Sequence, residues 1–244
     1  MMKKRLLYIS MTGTPDVYDP APYADLPDTG DDRFWVARRL EEQGVPDQFE
    51  YLTASVTMGD ELPEPESIDA VIVGGSFHSV NENQPWQQAL KSWLARWRET
   101  GRPALGICGG HQTMCLMGGA TVASRATGVK STSAPIDLTE QGKAHPLFAG
   151  FEDRPEFHFG NNEHVLKAPE GAVVLAKDDD SGALAVDLGG NWLSIQFHPE
   201  ISQAYMMRSW EISTTPEYAQ NYRALPDAPR MLVNFVRYAG MLSD

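Results

Sequence analysis

Positive charge is scarce in this chain: 20 Lys and Arg stand against 33 Asp and Glu, a formal net charge of -13. A surface of that sign argues against nonspecific nucleic-acid binding and against anionic membranes. Long apolar runs are absent too, and none approaches the roughly 18 residues of a membrane span. The stretch Met1-Met2-Lys3-Lys4-Arg5-Leu6-Leu7-Tyr8-Ile9-Ser10 superficially resembles a signal peptide. Its apolar part is too short and polar residues follow at once, so a first strand is the expected reading. Only two cysteines occur, Cys108 and Cys115. They lie about two turns apart on one predicted helix, too far for a disulfide, which fits a reduced, cytoplasmic protein. His78, His145, His158 and His164 are spaced like no compact metal-ligand motif, so neither metal nor cofactor is expected. There is no internal repeat and no low-complexity tract. The 244 residues, 42% hydrophobic and 22% charged, suit one sizeable core and are read as a single domain over residues 1–244.

Patterning predicts strands over Leu6 to Met11, Phe49 to Thr53, Ile68 to Val73 and the short run Pro103-Ala104-Leu105. Between them fall a helix from Asp31 or Asp32 to Gln43 and another from Pro85 to Thr100, stopped by Gly44 and Gly101. Trp86, Leu90, Trp93, Leu94 and Trp97 share one face of the second helix and are expected in the core. A further helical stretch is expected over Thr113 to Met117. This alternation implies a mostly parallel sheet covered on both faces. Later strands are expected over Val129 to Leu138, Glu156 to Phe159, Val173 to Lys177, Ala183 to Leu188 and Trp192 to Phe197, before a closing helix over Pro229 to Ala239. Residues 12–30 and 201–227 read as long connecting segments, the second rich in aromatics and Met. Packing or partner contact is their expected role, ahead of a cofactor site.

Two motifs carry chemistry. Gly106-Ile107-Cys108-Gly109-Gly110-His111-Gln112 places a cysteine between glycines, after a strand and before a helix. That is the layout of a nucleophile elbow. Unpaired N–H groups and the helix dipole at such a turn favour a thiolate. Gln196-Phe197-His198-Pro199-Glu200 places a histidine at a strand end with a carboxylate two residues on. A base oriented by a carboxylate is how a thiol is activated, so Cys108, His198 and Glu200 form a candidate triad. Gly74-Gly75, Cys108 and His198 all follow predicted strand ends, where open parallel sheets bind ligands. Cys115 is expected to be an inert buried thiol and His111 a packing residue.

These motifs resemble the class I, triad-type glutamine amidotransferases, over roughly residues 6–240. Within that family the chain is similar to stand-alone domains like the amidotransferase part of GMP synthetase. Val73-Gly74-Gly75-Ser76, Ser79-Val80, Pro85-Trp86 and Pro146-Leu147-Phe148-Ala149-Gly150 carry that finer likeness. The resemblance implies an α/β fold: an open, mostly parallel (flavodoxin-like) sheet with helices on both faces and extra antiparallel strands in the C-terminal half. It implies Cys108 as nucleophile, His198 as acid and base, Glu200 as its orienter, and the N–H groups of Gly75 and Gly109 as the oxyanion hole. Gln112 matches a position that contacts substrate glutamine. The family's Arg-Glu-Tyr-Gly is replaced by Lys130-Ser131-Thr132-Ser133, which makes Thr132 and Ser133 candidates for backbone contacts to substrate. His-Gly-Asp-x-Val is replaced by Asn161-Asn162-Glu163-His164-Val165. The implied activity is release of ammonia from glutamine through a glutamyl thioester, with a separate synthetase chain as possible acceptor. A γ-glutamyl hydrolase and a noncatalytic or partner-gated binding module are the alternative readings.

Overall fold

The structure, a computed structural model, describes residues 3–14, 16–27 and 29–242. Its first half runs β1 (Lys4–Ser10), α1 (Trp35–Glu42), β2 (Phe49–Ser55), β3 (Ala70–Val73), α2 (Pro85–Glu99), β4 (Ala104–Ile107) and α3 (Gly109–Met117). Its second half begins with β5 (Val122–Ser124), β6 (Lys130–Pro135), β7 (Asp137–Leu138), α4 (Glu140–Ala144), β8 (Glu156–Asn161) and β9 (Glu163–Val165). It closes with β10 (Val173–Lys177), β11 (Ala185–Asp187), β12 (Trp192–Ile195), α5 (Gln203–Glu211) and α6 (Arg230–Tyr238).

Alternation along the strands sets the layers. Leu6, Tyr8, Ala70 and Ile72 turn to one face, where they meet Val36 and Leu40 of α1 and Phe235 and Val236 of α6. Leu7, Ile9, Val71 and Val73 turn to the other, against Leu90, Trp93, Leu94 and Trp97 of α2 and Met114 and Cys115 of α3. The four strands at the centre are buried on both faces, which is why they read as continuous apolar runs. The eight-stranded sheet has the order β2-β1-β3-β4-β12-β11-β10-β7. From β2 to β12 the neighbours are parallel; β11, β10 and β7 are antiparallel additions. The chain leaves β1 for β2 on one side and then returns to β3 on the other. Such a switch point opens a crevice at the carboxyl ends of the strands. Among the described residues no helix is long and apolar enough to cross a membrane.

The architecture agrees with the expected one, with local differences. The expected strand over Val129 to Leu138 is two strands: β6 pairs with β8 and β7 joins β10 in the main sheet. Pro135 stands at the break, where it brings no N–H to a ladder. The helix expected from Asp31 or Asp32 begins as a short 3-10 turn over Asp32–Phe34, with Asp31 accepting from the Arg33 N–H. α3 starts at Gly109, ahead of the expected Thr113. α5 was not expected, and it occupies part of the 201–227 segment.

Close packing of α3 on the sheet explains the glycines of the first motif. A Cβ on Gly110 would stand 2.2 Å from the Val73 carbonyl oxygen, and one on Gly106 would stand 2.6 Å from the Gly110 carbonyl carbon. Gly182 has nothing within 4 Å of such a Cβ. Gly110→Ala is therefore expected to lower stability by about 2–3 kcal/mol or more, and Gly182→Ala by less than about 0.5 kcal/mol. Denaturant unfolding of the two variants checks this; equal losses would refute the packing argument.

Candidate active site

Cys108 joins β4 to α3 with φ 51 and ψ -103. A side chain held in so sparsely populated a region costs about 1–3 kcal/mol, and persists only where its surroundings fix it. They do so here through backbone bonds. The Cys108 N–H donates to the Ile195 carbonyl at 2.8 Å, and the Gly110 N–H donates to the Gly74 carbonyl at 2.9 Å. The elbow is thus tied to β12 and to the exit from β3, the two strands that deliver His198 and Gly75.

His198 follows β12, and its N–H donates to the His158 carbonyl of β8 at 2.9 Å. Its Nδ1 lies 2.7 Å from Oε1 of Glu200, a residue only 1% exposed. That bond commits Nδ1 to the carboxylate and leaves Nε2 as the nitrogen for a reacting group. Burial disfavours the imidazolium, but the charges of Glu200 and then Cys108 outweigh it, and His198 is pushed up to about 10. Near neutral pH His198 is therefore protonated. Glu200 Oε2 is buried with no hydrogen-bond partner among the described residues.

Gly75 and Gly109 flank the sulfur. A Cβ on Gly75 would lie 3.8 Å from Cys108 Cβ and 3.3 Å from His198 Cε1. Gly109 is the first residue of α3, where a helical N–H has no intrahelical partner. Among the described residues neither glycine N–H donates to another backbone or side-chain group. Both are open to an acceptor atom bound beside the sulfur.

A cavity of about 200 Å³ opens off this cluster, lined by Cys108, Gly75, His198 and Glu200. Its farther walls are Tyr8, Asp32 and Trp35 on one side and Tyr205, Met206 and Trp210 of α5 on the other. The 12–30 segment packs on α5. Tyr18 Oη meets Tyr205 Oη at 2.9 Å, Tyr23 stacks on Tyr205 at 4.5 Å, and Arg208 binds Asp25 at 2.8 Å. Sequence reasoning did not identify Asp32, Tyr8 or the α5 residues as site members. The spacing of Met206, Ser209 and Trp210, all cavity-lining, was the available signal: it is one face of α5.

Three expected substrate contacts do not line this cavity. The Gln112 side chain donates to the Glu163 carbonyl at 2.8 Å and to Gln196 Oε1 at 3.1 Å, bracing the turn between β8 and β9. Ser133 Oγ meets His158 Nδ1 at 2.9 Å and accepts from the Arg223 N–H, and Thr132 donates to backbone carbonyls. The expectation for Thr132 and Ser133 concerns their backbone, which these side-chain bonds leave open. β6 pairs with β8, and the hydroxyls are spent on that ribbon and on residues 221–223. His111 is fully buried against Ser194 at 2.9 Å, and burial pushes its pKa down to about 3. Burial likewise pushes the Cys115 thiol up to about 12. Both behave as interior packing groups.

A sequence model of the glutamine amidotransferase class-I family matches residues 29–209. The chain belongs to that family. It is 28% identical over 195 residues to a GMP synthase (glutamine-hydrolyzing) of Aeropyrum pernix, covering 80% of this chain but 34% of the relative. It therefore spans about a third of the length of that relative. It is 31% identical over 160 residues to the pyocyanine-specific anthranilate synthase component 2 of Pseudomonas aeruginosa, covering 63% of this chain and 77% of that one. In fold it is similar to a glutamine amidotransferase of Thermotoga maritima, with a TM-score of 0.74 at 17% identity and 100% coverage of both chains.

The His198–Glu200 pair makes a pH prediction. The folded pKa lies above the ordinary 6.5, so the proton is held more tightly in the folded chain. That stabilisation is complete below about 6.5 and disappears as pH rises through about 10. Between those limits the native chain is expected to lose more stability than Glu200→Gln, whose histidine lacks the carboxylate. Parallel unfolding profiles for the two across this range would contradict the assignment.

Proposed function

We propose that this chain hydrolyses the side-chain amide of glutamine, with Cys108 as nucleophile, His198 as acid and base and Glu200 as its orienter. The carrying observation is the 2.7 Å His198–Glu200 pair on the same cavity as a cysteine held at a strained strand-to-helix turn. Family membership supports the same reading. Cys108 Sγ adds to the amide carbonyl carbon, and the oxygen gains negative charge between the Gly75 and Gly109 amides. Preorganised donors of this kind contribute roughly 3–4 kcal/mol each to such reactions. The C–N bond then breaks, and the nitrogen departs as ammonia with the proton from His198. This leaves a glutamyl thioester. His198, now neutral, takes a proton from water; the water oxygen bonds to the carbonyl carbon, the C–S bond breaks, and glutamate leaves.

The ammonia is proposed to pass to a separate synthetase chain. This chain matches only 34% of the Aeropyrum pernix GMP synthase, and a relative from Ignicoccus hospitalis is named as one subunit of such a synthase. The aromatic, carboxylate-bearing cavity beyond the triad favours a second reading, a γ-glutamyl hydrolase that accepts larger amides.

Cys108→Ala is expected to lower glutamine hydrolysis by about 10³-fold or more, while Cys115→Ala stays within about twofold. A glutamine-like chloroketone should alkylate Cys108 and leave Cys115 unmodified. Failure to label Cys108, even with candidate synthetase partners present, would favour the noncatalytic or partner-gated module.

A further inference from the structure

The cavity continues past the triad, and its chemistry is of one kind. Asp32 lies on its wall and is 5% exposed. Its oxygens accept from Tyr8 Oη at 2.9 Å and from Ser10 Oγ at 2.7 Å. Those donors are neutral hydroxyls, and no cation pairs with Asp32 among the described residues. Neighbouring Arg33 is engaged with Asp31, at 2.7 Å. Burial pushes the Asp32 carboxyl up, and hydrogen bonds from Ser10, Thr12 and Tyr8 oppose that. Glu200 lines the same cavity, and its Oε2 is buried without a hydrogen-bond partner among the described residues.

Aromatic rings complete the walls: Tyr8, Trp35, Tyr205 and Trp210. Among the described lining residues there is no Lys or Arg. An amino-acid carboxylate would find no counter-charge there other than His198, which is already paired with Glu200. A cation would find two carboxylates and several ring faces, the combination that recognises ammonium groups. The volume, about 200 Å³, exceeds what departing ammonia needs, since a water molecule's share of liquid is about 30 Å³. A group with a positive charge at its far end fits such a cavity.

We infer that the chain also cleaves γ-glutamyl amides of diamines, with Asp32 and the surrounding rings holding the distal ammonium of the leaving amine. The inference rests on the triad reading above and adds a substrate class to the same site. The chemistry is unchanged: Sγ bonds to the γ-carbonyl carbon, the C–N bond breaks, and the leaving nitrogen carries away the proton from His198. Water then releases glutamate, and the free diamine is the second product. Asp32 touches the substrate's charge and not its reacting atoms, so it is a specificity residue.

The test compares glutamine with the γ-glutamyl amides of diaminobutane and of pentylamine, which have similar length but differ in the terminal ammonium. With the native chain, kcat/KM for the diaminobutane amide is expected to exceed that for the pentylamine amide by about tenfold or more. In Asp32→Asn that ratio should fall to within about twofold of one. Independently of any variant, free diaminobutane should inhibit glutamine hydrolysis at lower concentration than free pentylamine. Glutamine hydrolysis without preference for the charged amide, or a ratio unchanged in Asp32→Asn, overturns this inference alone. Failure to cleave any of the three substrates overturns the triad reading with it.

Discussion

The site depends on one backbone constraint: Cys108 must hold a positive φ at the end of β4. Everything that fixes that turn also fixes the chemistry around it. The bond to the Ile195 carbonyl ties the sulfur's position to β12, and β12 leads directly to His198. The bond from Gly110 to Gly74 ties it to the end of β3, and hence to the Gly75 amide. The strain of the turn, about 1–3 kcal/mol, is offset by contacts that bring Cys108, His198 and the Gly75 and Gly109 amides together. A Cβ at Gly106 or Gly110 would push α3 off the sheet and separate those groups.

Electrostatics then completes the arrangement. His198 is buried, and burial alone would strip its proton. Glu200 restores it, at the cost of placing a second charge in the interior. Such a pair is tolerable because each partner is hydrogen-bonded or charge-paired to the other. Glu200 Oε2 has no hydrogen-bond partner among the described residues, and Asp32 lines the same cavity. The proposed preference of the cavity for positive charge rests on these two carboxylates.

Much of this was legible in the sequence, for definite reasons. The central strands are buried on both faces and so wrote themselves as short apolar runs. The elbow and the His-Pro-Glu motif each pack their chemistry into a few consecutive residues. Asp32 could not be read in the same way. It stands where a helix cap is expected, and Asp31 takes the cap while Asp32 turns inward to Tyr8 and Ser10. Tyr8 read as ordinary strand core. Nothing local marks residues whose partners are brought up from β1, from the 12–30 segment and from α5. Short strands such as β5 and β9 depend on each other for their hydrogen bonds and carry little pattern of their own.

The central claim is that Cys108 forms a covalent glutamyl intermediate, and rapid acid quenching of the chain during glutamine turnover, followed by peptide mass spectrometry, tests it most directly. The account predicts a glutamyl adduct on the peptide that contains Cys108. The adduct should be absent from controls quenched without glutamine and from Cys108→Ala. Turnover of glutamine with no such adduct, or an adduct on Cys115, would contradict it.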